Sequence, residues 1–229
     1  MPPPEDGRDA LDEKTIQDSH FEDVSLLMGR NAKQTAAAAE RNRRPILDVL
    51  QRILPDTGRI LEIASGTGQH IVTFAEACPE LNWFPSDPDP RARASIAAWV
   101  LEAGTGNVAA PMNIDATEPG WLGKPGPGFD AIVCINLLHV SPWAACEGLM
   151  AGAAGLLEQP GILYLYGPFM RHGTHTSEGN EAFDENLRRQ NPAWGLRDVD
   201  DIAACARQNG LQLDEIVEMP ANNLSLIFR

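Results

Sequence analysis

The chain has 229 residues, 18 Lys plus Arg against 32 Asp plus Glu for a formal charge of −14, and 43% apolar residues. That is enough apolar material for a globular domain burying roughly 70–75% of the surface its unfolded form exposes, and the 20 Gly and 18 Pro follow no fibrous or low-complexity repeat. The acidic balance disfavours nucleic acid and anionic membrane surfaces as partners, and no apolar run approaches the ~18 residues needed to span a bilayer.

In chain order, the first twenty residues, MPPPEDGRDALDEKTIQDSH, are polar and acidic. They lack the apolar stretch of a secretory leader, so a cytoplasmic location is expected. Residues 1–30 are expected to form a mobile or capping arm and 31–229 a single domain. Cys78, Cys134, Cys146 and Cys205 are widely spaced with no C-x-x-C pair. That spacing points to reduced thiols, not to a zinc site or a disulfide framework.

From 36 to 54 the apolar residues Ile46, Leu47, Leu50, Ile53 and Leu54 recur at helical spacing. Pro45 is placed to start or kink that helix. Short apolar runs then alternate with helical segments. Strands are expected at 59–63, 82–85, 108–114, 129–135 and 161–166, with helices at 69–77, 90–103 and 142–157. Residues 170–195 interrupt this rhythm as a polar insertion with a short helical stretch, of the kind that gives a common scaffold its substrate choice. A helix at 198–209 follows, then strands at 211–218 and 224–228 joined by a link too short for a parallel crossover. The pattern predicts an α/β fold: a doubly wound, mostly parallel seven-stranded sheet with helices on both faces and a C-terminal antiparallel hairpin.

The strongest local signal is RILEIASGTGQHIVTFA. A strand ends at Glu62 and Ile63, turns through Ala64, Ser65, Gly66, Thr67 and Gly68, and enters a helix at Gln69. Glycines there let the backbone approach a ligand, and the helix start presents free N–H groups. Ile71 occupies the third glycine position of a dinucleotide fingerprint, and no Lys is present to make a phosphate-binding P-loop.

LEIASGTGQH resembles motif I of the class I methyltransferases that use S-adenosylmethionine (SAM), with Ala64 where the family has its first glycine. The resemblance implies that Glu62 lies near the methionine amino group of SAM, with Ala64, Ser65, Gly66 and Gly68 along the ligand. It also implies that an acid in WFPSDPDP, Asp87 or the alternative Asp89, holds the ribose hydroxyls. In NIDATEPGW, Asp115 would meet the adenine amine, with Ala116 beside the ring, although Asp115 also suits a turn former. CINLLHVSPW is similar to motif IV and places Asn136 and His139 on the catalytic rim. Six ordered blocks, AAERNRRPIL, LEIASGTGQH, INLLHVSPW, YLYGPF, NPAWGLRD and MPANNLSLIF, look like a methyltransferase-like group classed as a domain of unknown function.

His139 has the unperturbed pKa of a base for an acceptor that carries a proton. Its other reading is a hydrogen-bonded structural or binding histidine. Tyr166, at the end of a strand, is the second catalytic candidate. Arg41 or Arg44 suits a carboxylate on SAM or on the acceptor, and Asn42 lies between them. His172, Asn180 and Asn223 complete the candidate substrate contacts. His172, His175 and Glu178 match no trusted metal spacing, so no metal is expected. These features predict a SAM-dependent methyltransferase of a small molecule, monomeric or homodimeric. The alternatives are a noncatalytic SAM-binding sensor and a dinucleotide-dependent oxidoreductase.

Overall fold

The computed structural model describes residues 32–118, 120–126 and 128–229; the arm expected at 1–30 lies outside them. Helix α1 (Ala37–Ile53) leads into β1 (Gly58–Ile63), α2 (Gln69–Ala77), β2 (Leu81–Ser86) and α3 (Pro90–Ala103). Then come β3 (Phe129–Ile135), α4 (Ala144–Leu156) and β4 (Leu157–Gly167). The insertion contributes β5 (Phe169–Arg171), β6 (Thr174–His175), α5 (Glu178–Gln190) and β7 (Arg197–Asp198). Helix α6 (Val199–Gln208) and the hairpin β8 (Leu213–Met219) and β9 (Asn223–Phe228) close the chain.

The main sheet runs β2-β1-β3-β4-β9-β8. Its first four strands are parallel, while β9 pairs antiparallel with both β4 and β8. The central strands are apolar on both faces because helices cover both. Ile60, Val133 and Tyr164 pack with Leu50 of α1, Phe74 of α2 and Ile96 of α3. Their strand neighbours Leu61, Cys134 and Leu165 turn to the opposite face and pack with Leu149 of α4 and Ile202 of α6.

The strand expected at 108–114 is reduced to two parallel bridges on the outer edge of β2, Trp83 to Val108 and Ser86 to Met112. Pro111 sits between the bridges, and a residue without an N–H belongs on an edge strand. This segment fills the seventh position of the sheet. Pro45 lies inside α1 and does not start it. The insertion holds more order than its polar sequence suggests: β5, β6 and β7 form a small separate sheet, and Ser177 caps the thirteen-residue α5 through the Asn180 N–H.

Parallel strands put all their carboxyl ends at one edge. Register aligns Glu62 with Pro85 of β2 and Val133 of β3, and Ile135 with Tyr166 of β4. The turns after β1 and β2, and the residues after β3 and β4, therefore share that edge, where ligands of open α/β sheets bind.

Candidate active site

The turn after β1 is held by a closed set of hydrogen bonds. Ser65 N–H donates to the Ser86 carbonyl at 2.8 Å, Ser86 N–H donates to Ser65 Oγ at 3.1 Å, and Ser86 Oγ donates to the Glu62 carbonyl at 2.7 Å. Asp87 ties the turn to the end of β2. Its Oδ2 accepts from Gly66 N–H at 3.0 Å and its Oδ1 from Asp89 N–H at 2.9 Å. A carboxylate has about four acceptor sites, so two remain for a ligand. Burial raises the Asp87 pKa, and the two backbone N–H donors oppose that rise. Asp89 is engaged elsewhere, as the N-cap of α3 accepting from Arg91 N–H.

Three residues of the turn have left-handed backbones: Ala64 (φ 58°), Gly66 (φ 59°) and Gly68 (φ 93°). The two glycines serve different needs. A Cβ on Gly68 would stand 2.8 Å from the Ile96 Cα, so glycine there lets α3 pack against the turn, whereas a Cβ on Gly66 would meet nothing within 4 Å. Ala64 carries the strain that glycine avoids, roughly 1–2 kcal/mol.

Glu62, the penultimate residue of β1, lies beneath this turn at 1% exposure, and its Oε2 has no hydrogen-bond partner among the described residues. Desolvation is the main reason its pKa rises to about 7, and the nearby Asp87 carboxylate adds to the rise. Further along, half-buried Asp115 accepts from the backbone and hydroxyl of Thr117 through Oδ1, at 2.9 and 2.7 Å, which is a turn-forming contact. Ala116 is buried against α4, where a Cβ on Gly148 would stand 1.8 Å from the Ala116 carbonyl oxygen.

A cavity of about 480 Å³ opens beyond β3 and β4, and it gathers seven of the candidates: Arg41, Asn42, Asn136, His139, Tyr166, Asn180 and Asn223. Asn136 has a left-handed backbone (φ 60°) and donates its N–H to the Tyr166 carbonyl at 2.8 Å, which joins the ends of β3 and β4. His139 sits in a short 3-10 turn with its ring edge-on to Phe183, the centroids 5.6 Å apart. Burial, aided by the Arg197 charge, lowers its pKa to about 4, so the imidazole is neutral at physiological pH. Tyr166 is 3% exposed, and burial raises its phenol pKa against the opposing Asn42 hydrogen bond and Arg41 charge.

Arg44 and His172 do not join this cavity. Arg44 is exposed on α1, and His172 contacts Asp200 at 2.9 Å on the far side of the insertion. His175 likewise contacts the buried Asp184 at 3.1 Å.

Sequence reading missed the pair that joins the two parts of the site. Gln69 Oε1 accepts from Ala36 N–H at 2.6 Å, its Nε2 donates to Glu40 at 3.2 Å, and His70 Nε2 is 2.8 Å from Asn42 Oδ1. These first residues of α2 hold the start of α1, and with it Arg41 and Asn42, against the turn after β1. A signal was present, because two polar residues open a helix whose first turn is fully buried. Phe183 and three prolines of the cavity wall gave no such signal.

The architecture matches solved methyltransferases. An O-methyltransferase family protein from Burkholderia thailandensis superposes with a TM-score of 0.70 at 19% identity, over 82% of this chain and 56% of that one. The SAM-dependent methyltransferase SibL gives 0.68 at 17% identity, over 84% and 55%. CalO1, a methyltransferase of calicheamicin biosynthesis solved with S-adenosylhomocysteine (SAH) bound, gives 0.64 at 16%, over 82% and 53%. The chain thus spans just over half the length of these proteins and shares the fold of the part it covers. A family profile described as "Protein of unknown function (DUF938)" matches residues 33–229, and the chain belongs to that family.

Proposed function

We propose that the chain is a SAM-dependent methyltransferase whose small-molecule acceptor occupies the cavity beyond β3 and β4. Glu62 carries this reading. A wholly buried carboxylate with a partnerless oxygen calls for a cation, and the ammonium of SAM's methionine moiety supplies one. The open space beside Gly66 and the two remaining acceptor sites of Asp87 suit a ribose.

When bound, SAM supplies a methyl group on positive sulfur, which departs as the neutral thioether SAH with the electron pair of the broken bond. The chain's own work is positioning and proton handling. The cavity holds the acceptor so that its lone pair forms the new bond to carbon. Neutral His139 receives the proton the acceptor sheds and, with a pKa of about 4, passes it readily to water. Tyr166, kept as a neutral phenol, donates a hydrogen bond to the acceptor.

Calorimetry with SAM, SAH and NAD tests this reading. The expected result is micromolar binding of the SAM pair alone, abolished by Gly66→Arg, with His139→Asn lowering kcat/KM at least tenfold at unchanged SAH affinity. Binding of NAD alone, or SAM binding indifferent to Gly66→Arg, would overturn it.

A further inference from the structure

The cavity wall runs against the acidic balance of the chain. The chain carries 32 acidic residues, yet no Asp or Glu is among the described residues of this wall, and its one charged side chain is Arg41. Arg41 has no ion pair or hydrogen bond among the described residues, whereas Arg43 on the next turn position is paired with Glu40. A guanidinium with this freedom beside a concave surface is suited to a carboxylate.

The amides add a second constraint. Asn180 is 8% exposed, and its Nδ2 is committed to Thr176 Oγ1 at 2.7 Å and to the Asn222 carbonyl at 2.9 Å. Both of its N–H bonds are therefore used, and the atom left for a ligand is Oδ1, an acceptor. Asn223 is alike: its Nδ2 donates to the Pro220 carbonyl at 3.0 Å. These two side chains, with neutral His139, ask the ligand for an O–H or N–H.

The third constraint is apolar. Among the described residues only Leu101, Val140 and Phe183 are large hydrophobic side chains exposed to solvent, and both Val140 and Phe183, each 38% exposed, face this one cavity. Pro45, Pro168 and Pro220 supply further apolar wall. Exposed apolar groups gathered in a concave site favour a flat ring.

We infer that the acceptor is a small hydroxylated aromatic acid, its carboxylate on Arg41, its ring against Phe183 and Val140, and its hydroxyl among Asn180, Asn223 and His139. On the methyl-transfer reading above, on which the fate of that hydroxyl rests, its oxygen gains the methyl group and its proton leaves through His139.

Matched probes test the inference without knowledge of the natural acceptor. Ligand-observed NMR with the full chain compares 4-hydroxybenzoate, its methyl ester and benzoate, alongside Arg41→Gln, Arg41→Lys and the remote control Arg189→Gln. The hydroxy acid is expected to bind at least fivefold more tightly than either comparison probe. Arg41→Gln should erase the preference over the ester, Arg41→Lys should keep part of it, and Arg189→Gln should leave it intact. Equal or tighter binding of the ester, no binding of the acid at millimolar concentration, or acid binding indifferent to Arg41→Gln would each overturn the inference. SAH titrations on the same samples separate the two readings. Loss of SAH affinity in Arg41→Gln would assign Arg41 to the cofactor and overturn the inference alone. Failure of SAH to bind the unaltered chain would overturn the methyl-transfer reading, and the acid-against-ester comparison would still decide the ligand class.

Discussion

The turn after β1 and the cavity beyond β3 and β4 lie along one edge of the same sheet, but they are assembled differently. The turn uses residues 62–89, two strand ends and the loops between them, and its polar groups close on one another through Ser65, Ser86 and Asp87. The cavity draws on segments near 41, 136, 166, 180 and 223, brought together by α1, the insertion and the closing hairpin. Its amides are anchored at one end and open at the other. A site of the first kind keeps one ligand geometry, whereas a site of the second kind can be respecified by changing a loop without disturbing the sheet.

The comparison is broken most severely at the turn. Gly68→Val combines a strained positive φ with a contact of 2.8 Å on the Ile96 backbone. It should cost about 3 kcal/mol or more and remove SAH binding, read by thermal unfolding and calorimetry. Gly66→Ala meets open space and should cost only about 1 kcal/mol.

Next in size is the acid response of the cavity and its support. Burial lowers the pKa values of His70 and His139 to about 4 from 6.5. For groups depressed in this way the stabilisation is present above pH 6.5 and is lost as pH falls through about 4, at most about 3 kcal/mol for each histidine. Imidazole ring shifts followed by NMR should report both midpoints near 4.

Glu62 has the opposite sign. Its folded pKa of about 7 exceeds the ordinary 4.5, so its contribution is present below pH 4.5 and is lost as pH rises through 7. Relative to the parent chain, ligand-free Glu62→Gln should therefore be about 2–3 kcal/mol more favourable at pH 8 than at pH 5 by urea unfolding. On the proposed reading the same variant should lose SAM affinity, because the buried carboxylate that destabilises the empty protein is there the group that would meet the cation.

The smallest effect is at Ala64. Its left-handed backbone (φ 58°) predicts that Ala64→Gly gains about 0.5–1 kcal/mol, strain relief exceeding the entropy glycine adds to the unfolded chain. A thermal shift of a few degrees upward would register it.

The same contrast decides how much was legible in the sequence. The parallel strands, the glycine turn and Asp87 are written in contiguous residues, so periodicity and motif resemblance place them. The segment at 108–112 reads as a strand because Val108 and Ile114 suit one, but Pro111 confines it to two bridges. The insertion reads as a polar segment with a short helical stretch, and its strands escape the sequence because two or three residues carry too little periodicity to detect. Arg41 and Arg44 are both plausible anion contacts by residue type. Only the helical phase of α1 separates them, placing one at the cavity and the other in solvent. His172 fails for a related reason: a histidine near a site in sequence faces Asp200 when the intervening strands turn it away.

Gln69 and His70 give the edge a property that neither half has alone. Because they bind the first turns of α1, ordering of the turn after β1 also orders Asn42, and ordering of Asn42 steadies the turn. Two ligands that share such a joint are thermodynamically linked, and the linkage is reciprocal: on the two readings proposed above, whatever factor SAH adds to the affinity for the acid, the acid must add to the affinity for SAH. Removing the His70–Asn42 contact with His70→Ala would leave both pockets and the Gln69 contacts in place and should shrink the factor by which each ligand raises the other's affinity.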